Sequence, residues 1–569
     1  MKTRIQSILI AFLLLFPGFL PQVRAVSPAP DSCYPNYTTA EGCRTLENLT
    51  SGLGNTGVGW YSLFSATIGN FNTGVGGGAL VLNDADSNTA VGAAALLLNT
   101  NGHDNTAIGT DALVFNDSGS FNTANGAFAL FYNTGESNSA FGWSALTSNT
   151  TGDHNTATGI AALFFNTTGI ENTANGANAL QTNTTGDDNT ATGVDALFGN
   201  TTGSDNTATG VAALAVNSTG SGNTANGFQA LQSNTTAAGN TATGVQALQQ
   251  NTTGFDNTAT GALTLQNNTI GQLNTANGVT ALTFNSTGSN NTADGAAALE
   301  ANTTGSDNTA LGFAALQANS TGERNTAIGD QALQSNTTAG NNTATGHIAL
   351  VDNTTGSGNT ADGYQALASN VVGNGNTAVG YGALDAQTSG DFNVGLGIFA
   401  GNGITTATNV ISIGTSGANV NDSCYVGNIW TQPGGSQAVY VNSDGKLGAQ
   451  VSSRRFKEDI HPMQEASAAL YRLKPVSFRY KKEIDREASQ QLGLVAEDVA
   501  AVNPDLVICD KEGKPFSVRY DQVNAMLLNE FLKEHRAFVE EQRKVEQQQI
   551  AIDALKAELR QQRALIQNV

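Results

Sequence analysis

The chain has 569 residues, of which 65 are glycine and only 12% are charged, and its formal net charge is -21. So much glycine with so little charge argues against one large conventional globule and for internal repeats. Between Val26 and Gln450 the only cations are Arg44, Arg324 and Lys446, which leaves no basic footprint for phosphate and speaks against nucleic acid as a partner.

The first element is a secretory signal. Lys2 and Arg4 precede an apolar run from Ile8 to Leu20 that Pro17 and Gly18 interrupt, and Val23-Arg24-Ala25 puts small residues where a signal peptidase reads. Residues 1–25 are expected to be removed after Ala25. The run is too short and too broken to span a bilayer, so the mature chain is expected to carry no membrane span and to be secreted or extracellular. Residues 26–37 form an N-terminal cap. Cys33 and Cys43 lie close together in what would be an oxidising compartment, and a small disulfide loop between them is expected. Cys424 and Cys509 are expected to stay unpaired.

Residues 38–409 repeat a 17-residue unit, Asn-Thr-Ala-x-Gly-x-x-Ala-Leu-x-x-Asn-Thr-Thr-Gly-x-x. Gly holds the fifth place in all 22 copies, from Gly42 to Gly397, and Leu holds the ninth from Leu46 to Leu384. Two steps, before Asn88 and before Asn138, are 16 residues long. A period this regular means one rung per copy, stacked on its neighbours as a parallel β-solenoid or β-roll. Seventeen residues suit two short strands, Thr-Ala-x-Gly and x-x-Ala-Leu-x, with Asn-Thr-Thr-Gly as turn chemistry. At about 4.8 Å per rung the array is on the order of 100 Å long.

The recurrent Asn has two readings. It can form a ladder of side-chain amides, or act as a glycosylation acceptor, since Asn166-Thr167-Thr168 fits the pattern. The ladder is preferred, because a turn that needs Asn and Thr creates the acceptor motif by accident. One rung offers a Leu and some Ala. Burying a Leu gives roughly 1.5–3 kcal/mol, against about 1–2 kcal/mol of backbone entropy for each residue ordered. Rungs must therefore share faces, with one another and with other chains. Phe164 with Phe165, and Phe128 with Phe131, are candidates to fill a seam between chains. His103, His154 and His347 are scattered without ligand spacing. No metal and no cofactor is expected.

A β-rich junction, residues 410–451, follows, with strands expected at Val410–Gly414 and Ala438–Val441 and a turn at Asn442–Gly445. Residues 452–522 read as a small α+β domain and 523–569 as a coiled-coil helix. Phe531, Phe538, Val545, Ile552, Leu559 and Ile566 recur every seven residues, which is one seam of a bundle between chains. Ser452 stands five residues before Lys457. A serine hydroxyl becomes a nucleophile beside a base, and lysine is a base only when neutral. Arg454 and Arg455 favour the neutral amine, whereas Glu458 and Asp459 oppose it.

Two resemblances add to this. The Asn-Thr-Ala-x-Gly runs across about residues 38–400 resemble the head repeats of trimeric autotransporter adhesins, which are trimeric left-handed β-rolls. The period here is longer, and the adhesins' barrel-forming C-terminal strands are missing. From residue 451 onward the chain resembles the intramolecular chaperone domain of phage endosialidases and tail fibres. Ser452, Arg455, Lys457 and Ile460 fit the family's opening motif, with Glu458 as the acidic residue after the lysine and Ser453 where the family has Asp. Leu473–Tyr480, Gly493–Val499 and Val518–Tyr520 follow in family order. The resemblance implies a homotrimer whose C-terminal domain templates folding and then cuts the chain between Val451 and Ser452. Ser452 would be the nucleophile, Lys457 the general base, and Arg455 and Glu458 supporting groups.

The expected function is thus a secreted trimeric fibre or adhesin-like protein whose one enzymatic act is self-cleavage. The other readings are an extracellular hydrolase with the repeats as stalk, and a phage-derived fibre binding or hydrolysing a host glycan. A surface or glycan ligand is not identifiable from the residues.

Overall fold

The computed structural model describes residues 35–428, 439–441, 447–449, 452–485, 487–510 and 512–567. The proposed signal segment, Cys33 of the proposed disulfide, the turn at Asn442–Gly445 and Val451 of the proposed cleavage bond lie outside the described residues. The chain divides into two compact units, one ending at Gln432 and one beginning at Pro433.

The first unit is a β-solenoid whose parallel sheet has 24 strands. Each 17-residue copy supplies one strand of three residues, as in Thr156–Thr158 and Thr173–Asn175. Successive copies pair in register, Thr156 with Thr173 and Ala157 with Ala174. Alternation puts the central Ala inward and its two neighbours outward, and Ala157 is wholly buried.

The second expected strand does not form. The segment x-x-Ala-Leu-x is a chain of turns. Its seventh and ninth places take left-handed backbone, φ 54° at Ala161 and 51° at Leu163. The reason lies in the neighbours Ala162 and Leu163, both wholly buried. Adjacent residues of a strand face opposite ways, so two adjacent inward side chains require a turning backbone. A left-handed leucine costs about 1–3 kcal/mol. The buried side chain and a hydrogen bond from its N–H to the Ala179 carbonyl at 3.0 Å offset that cost.

Two columns of asparagine carry the polar core. At the first place Asn172 donates its backbone N–H to the Asn155 side-chain oxygen at 3.0 Å, and its amide donates to the Gly186 carbonyl at 2.8 Å. At the twelfth place Asn166 Nδ2 donates to Asn149 Oδ1 at 2.7 Å and to the Gly169 carbonyl at 2.9 Å. These side chains are wholly buried, so each bond satisfies a group that water cannot reach. In both 16-residue rungs the missing residue comes from the Asn-Thr-Thr-Gly turn. There the amide reaches two residues ahead instead of three, from Asn83 to Ala85 and from Asn133 to Gly135, and the ladder continues.

The fifth-place glycine is required twice over. Gly159 has φ 133°, and a Cβ there would lie 2.4 Å from the Gly176 carbonyl oxygen of the next rung. The ladder also outlasts the repeat. Val410–Ile413 pairs with Val394–Leu396, and Ser423–Val426 pairs with Val410–Ile413, while Ile404 and Val410 take over the core after the last ninth-place leucine. Part of the junction is thus solenoid. The aromatic residues singled out from sequence pack on each other within the chain. Phe164 and Phe165 lie edge to face at 4.6 Å, and Phe128 and Phe131 lie 6.0 Å apart.

The second unit is α+β. It has three two-stranded antiparallel sheets, Val439–Val441 with Leu447–Ala449, Val476–Phe478 with Gln491–Gly493, and Val507–Cys509 with Pro515–Val518. A 3-10 helix spans Gln464–Arg472, a short α-helix Ala496–Val502 and a long α-helix Tyr520–Ile566. Its core is small: Val499, Leu506, Val507, Val518 and Met526. Among the described residues no helix is long and apolar enough to cross a membrane.

Candidate functional site

The segment that opens the second unit brings the two sequence-predicted catalytic residues together. A single 3-10 turn, Arg454–Phe456, is closed by the Phe456 N–H on the Ser453 carbonyl at 3.0 Å and the Lys457 N–H on the Arg454 carbonyl at 3.1 Å. It folds the chain back on itself. Lys457 Nζ then donates to Ser452 Oγ at 3.0 Å, within the reach a nucleophile–base pair needs. Both residues are exposed. Arg455 lays its guanidinium over the Phe456 ring at 4.6 Å and does not join the pair. Glu458 and Asp459 are exposed as well, and neither forms an ion pair with Lys457.

Cys43, the described half of the proposed disulfide, is exposed, as are the free thiols of Cys424 and Cys509.

A second polar cluster escaped the sequence reading. Ser467, wholly buried on the 3-10 helix, donates a short hydrogen bond to the Glu530 carboxylate of the long helix and accepts one from Asn529 at 2.6 Å. Lys533 bridges Glu530 at 2.9 Å and Glu465 at 3.2 Å. The Ser467 hydroxyl, and after it the Lys533 ammonium, hold the Glu530 carboxyl below the usual carboxylate range. Glu530, desolvation and the hydrogen bond to Glu534 push the Tyr471 hydroxyl up to about 12. The cluster pins the start of the long helix to its domain. Beyond it the helix stands free: Phe538, Val545, Ile552 and Leu559, all of the seven-residue column, are exposed. The partners of the cluster lie more than 60 residues apart, as in the 63-residue separation of Ser467 and Glu530, and no local spacing announces them.

In the solenoid the nearest thing to an acidic site is a hollow lined by Asp84, Asp86, His103 and Asp104. Its chief carboxylate is already committed. Asp84 accepts from the Thr67 N–H and hydroxyl, both at 2.7 Å, and from the Ile68 N–H at 2.9 Å. Burial pushes this carboxyl up, but those bonds together outweigh it and hold it low. It serves the turn of the short rung. Among the described residues no three His, Cys, Asp or Glu side chains are placed to hold a metal ion.

No curated protein and no solved structure matches the chain. Residues 452–508 match the family model described as chaperone of endosialidase. The matched stretch begins at Ser452 and contains the Ser452–Lys457 pair, the 3-10 helix and the short α-helix. Over residues 452–508 the C-terminal unit is thus similar to a chaperone domain of the endosialidase type.

Proposed function

We propose that this is a secreted, adhesin-like trimeric fibre whose C-terminal domain templates assembly and then releases itself by cutting between Val451 and Ser452. The observation that carries the proposal is the 3.0 Å contact of Lys457 Nζ with Ser452 Oγ at the first residue of the matched domain. Ser452 Oγ attacks the Val451 carbonyl carbon, and Lys457 accepts the hydroxyl proton. The carbon–nitrogen bond breaks and the Ser452 nitrogen leaves protonated, with Val451 held as an ester on Oγ. Water then hydrolyses the ester, leaving a Val451 carboxylate and a free serine hydroxyl.

The exposure of the pair in one chain supports a coupling between cutting and assembly. A lysine base must be neutral, and burial is the main way a protein makes it so. The described residues of one chain leave Lys457 exposed, and neighbouring chains would supply the burial. Cutting then waits for the trimer. The exposed seven-residue column from Phe531 to Ile566 fits the same picture, as an apolar seam that a coiled coil between chains would cover. Secretion rests on the pattern of residues 1–25.

The test is expression of the full chain beside Ser452→Ala and Lys457→Met. Denaturing gels and intact-mass spectrometry should show a fragment beginning at Ser452 from the wild type and none from either variant. A wild type that stays in one piece after assembly would contradict self-cleavage and leave the domain as a permanent trimerisation cap.

A further inference from the structure

Just past the fifth-place glycine, twelve of the 22 rungs turn a large apolar or aromatic side chain to solvent, and the other ten carry Ala, Gly, Cys, Thr, Asp or His. Trp60, Trp143, Ile160, Val245, Phe313 and Ile398 hold this sixth place, and they are 49% to 71% exposed. Across the 22 copies the place carries one acid, Asp330, and one histidine, His347. The seventeenth place of the same rungs is where acid collects, with Glu171, Asp188, Asp205, Asp256 and Asp307. The sixth-place side chains form a true column. His347 stacks on Tyr364 at 5.4 Å with planes 16° apart, and Tyr364 on Tyr381 at 4.9 Å with planes 15° apart.

We infer that this sixth-place column is the seam along which the solenoids of two further copies of the chain dock, in parallel and in register. The inference rests on the trimer reading and adds to it the face that meets the axis. Three observations single out a second copy as the occupant. First, a column about 100 Å long and about 10 Å wide presents on the order of 1,000 Å². As a footprint, that meets the roughly 800 Å² per partner of a stable interface. Second, in a chain of net charge -21 three solenoids approach without repulsion only along a face that is nearly free of carboxylates, and this column is one. Third, only an object with the same rise and the same number of rungs can set apolar against apolar over the whole length, and an identical copy in register does so. The domain matched at residues 452–508 would bring those copies together.

The experiment places a thiol on the column and, separately, off it. Val245→Cys lies on the sixth place and Asp256→Cys on the seventeenth place of the same rung, and both native side chains are exposed in the single chain. Full-length variants, checked for wild-type circular dichroism, are labelled with a small maleimide, and the modified peptides are quantified by mass spectrometry. The expected result is labelling at position 245 about tenfold slower than at position 256, as for the dry centre of an interface. Equal rates in a protein that light scattering shows to be a trimer would overturn the seam and leave the trimer standing, with the column free for some other ligand. Equal rates in a protein of one chain mass would overturn both.

Discussion

In the solenoid every rung buries its own share of apolar side chains, Ala157, Ala162 and Leu163 in one copy, and joins each to its counterpart above and below. The C-terminal unit, by contrast, buries five apolar residues among its described ones and leaves the apolar column of its long helix in solvent. One unit satisfies its backbone and its core along its own length. The other is half of a structure, with a buried polar clamp at one end of a helix and nothing on the rest of it. The comparison teaches where dependence on other chains lies. A single rung alone is too poor in apolar surface to persist, but the stack repairs the deficit within one chain through amide ladders and repeated Ala-Ala-Leu layers. It is the assembly domain that most needs company.

The sharpest way to break this contrast is to interrupt the stack. Gly159→Ala puts a methyl against the Gly176 carbonyl and forces a left-handed residue out of glycine's range. It should cost about 3 kcal/mol or more, read as a lowered calorimetric transition of the solenoid with the C-terminal transition unmoved. Gly169→Ala, ten residues on, should cost only about 1 kcal/mol, although a Cβ there also meets a carbonyl, at 2.5 Å. The chain already contains that change. Ala237 occupies the same place and is absorbed by small stretches: Thr236 N–H to the Thr252 carbonyl lengthens to 3.5 Å, and Asn251 Nδ2 to Asn234 Oδ1 to 3.1 Å. The corresponding bonds around Gly169 are 3.2 and 2.8 Å. Equal costs for the two variants would show that the fifth-place glycine is not special.

A smaller effect separates the units by pH. The asparagine ladders are made of neutral amides and do not titrate, and Asp84, in the turn of one short rung, is the solenoid carboxyl that is held low. The clamp on the long helix does titrate. Glu530 has its carboxyl held low by Ser467 and Lys533, so it stabilises the fold above the ordinary carboxylate range, and that contribution disappears as pH falls through the lowered value. Between pH 7 and pH 3 the C-terminal transition should move down in temperature more than the solenoid's. Ser467→Ala, which takes one partner from Glu530 and one from Asn529 while Lys533 and the Gln464 carbonyl remain, should cost about 1–3 kcal/mol and flatten that pH dependence. A pH response unchanged in Ser467→Ala would place its origin outside the clamp.

Much of the fold is legible in the residues, and the exceptions have physical causes. The fifth-place Gly recurs in every copy, and the first-place Asn, third-place Ala and ninth-place Leu in nearly all, because each touches its own copy one rung away. The second strand expected at x-x-Ala-Leu-x is a miss: the adjacent Ala and Leu, both buried, cannot share one face of a strand. The extension of the solenoid to Val426 was not legible, because the last rung shortens to 13 residues between Val410 and Ser423 and drops the motif. The sixth-place column was hidden by its variety. Trp, Ile, Val, Phe and Tyr read as an unspecified residue until the backbone stacks them. At the candidate site, the Ser452–Lys457 pair follows from the resemblance of residues 452–460 to a family motif, and one turn sets the two side chains 3.0 Å apart. The clamp of Ser467 and Glu530 was not legible, because only the folded helix brings them together.

The most direct measurement is the molar mass of the full-length Ser452→Ala chain by light scattering in dilute solution, with the domain held on. Three chain masses, persisting on dilution, is the result expected if an unpartnered C-terminal helix and an apolar solenoid column are both covered by sister chains. A well-folded particle of one chain mass would contradict it.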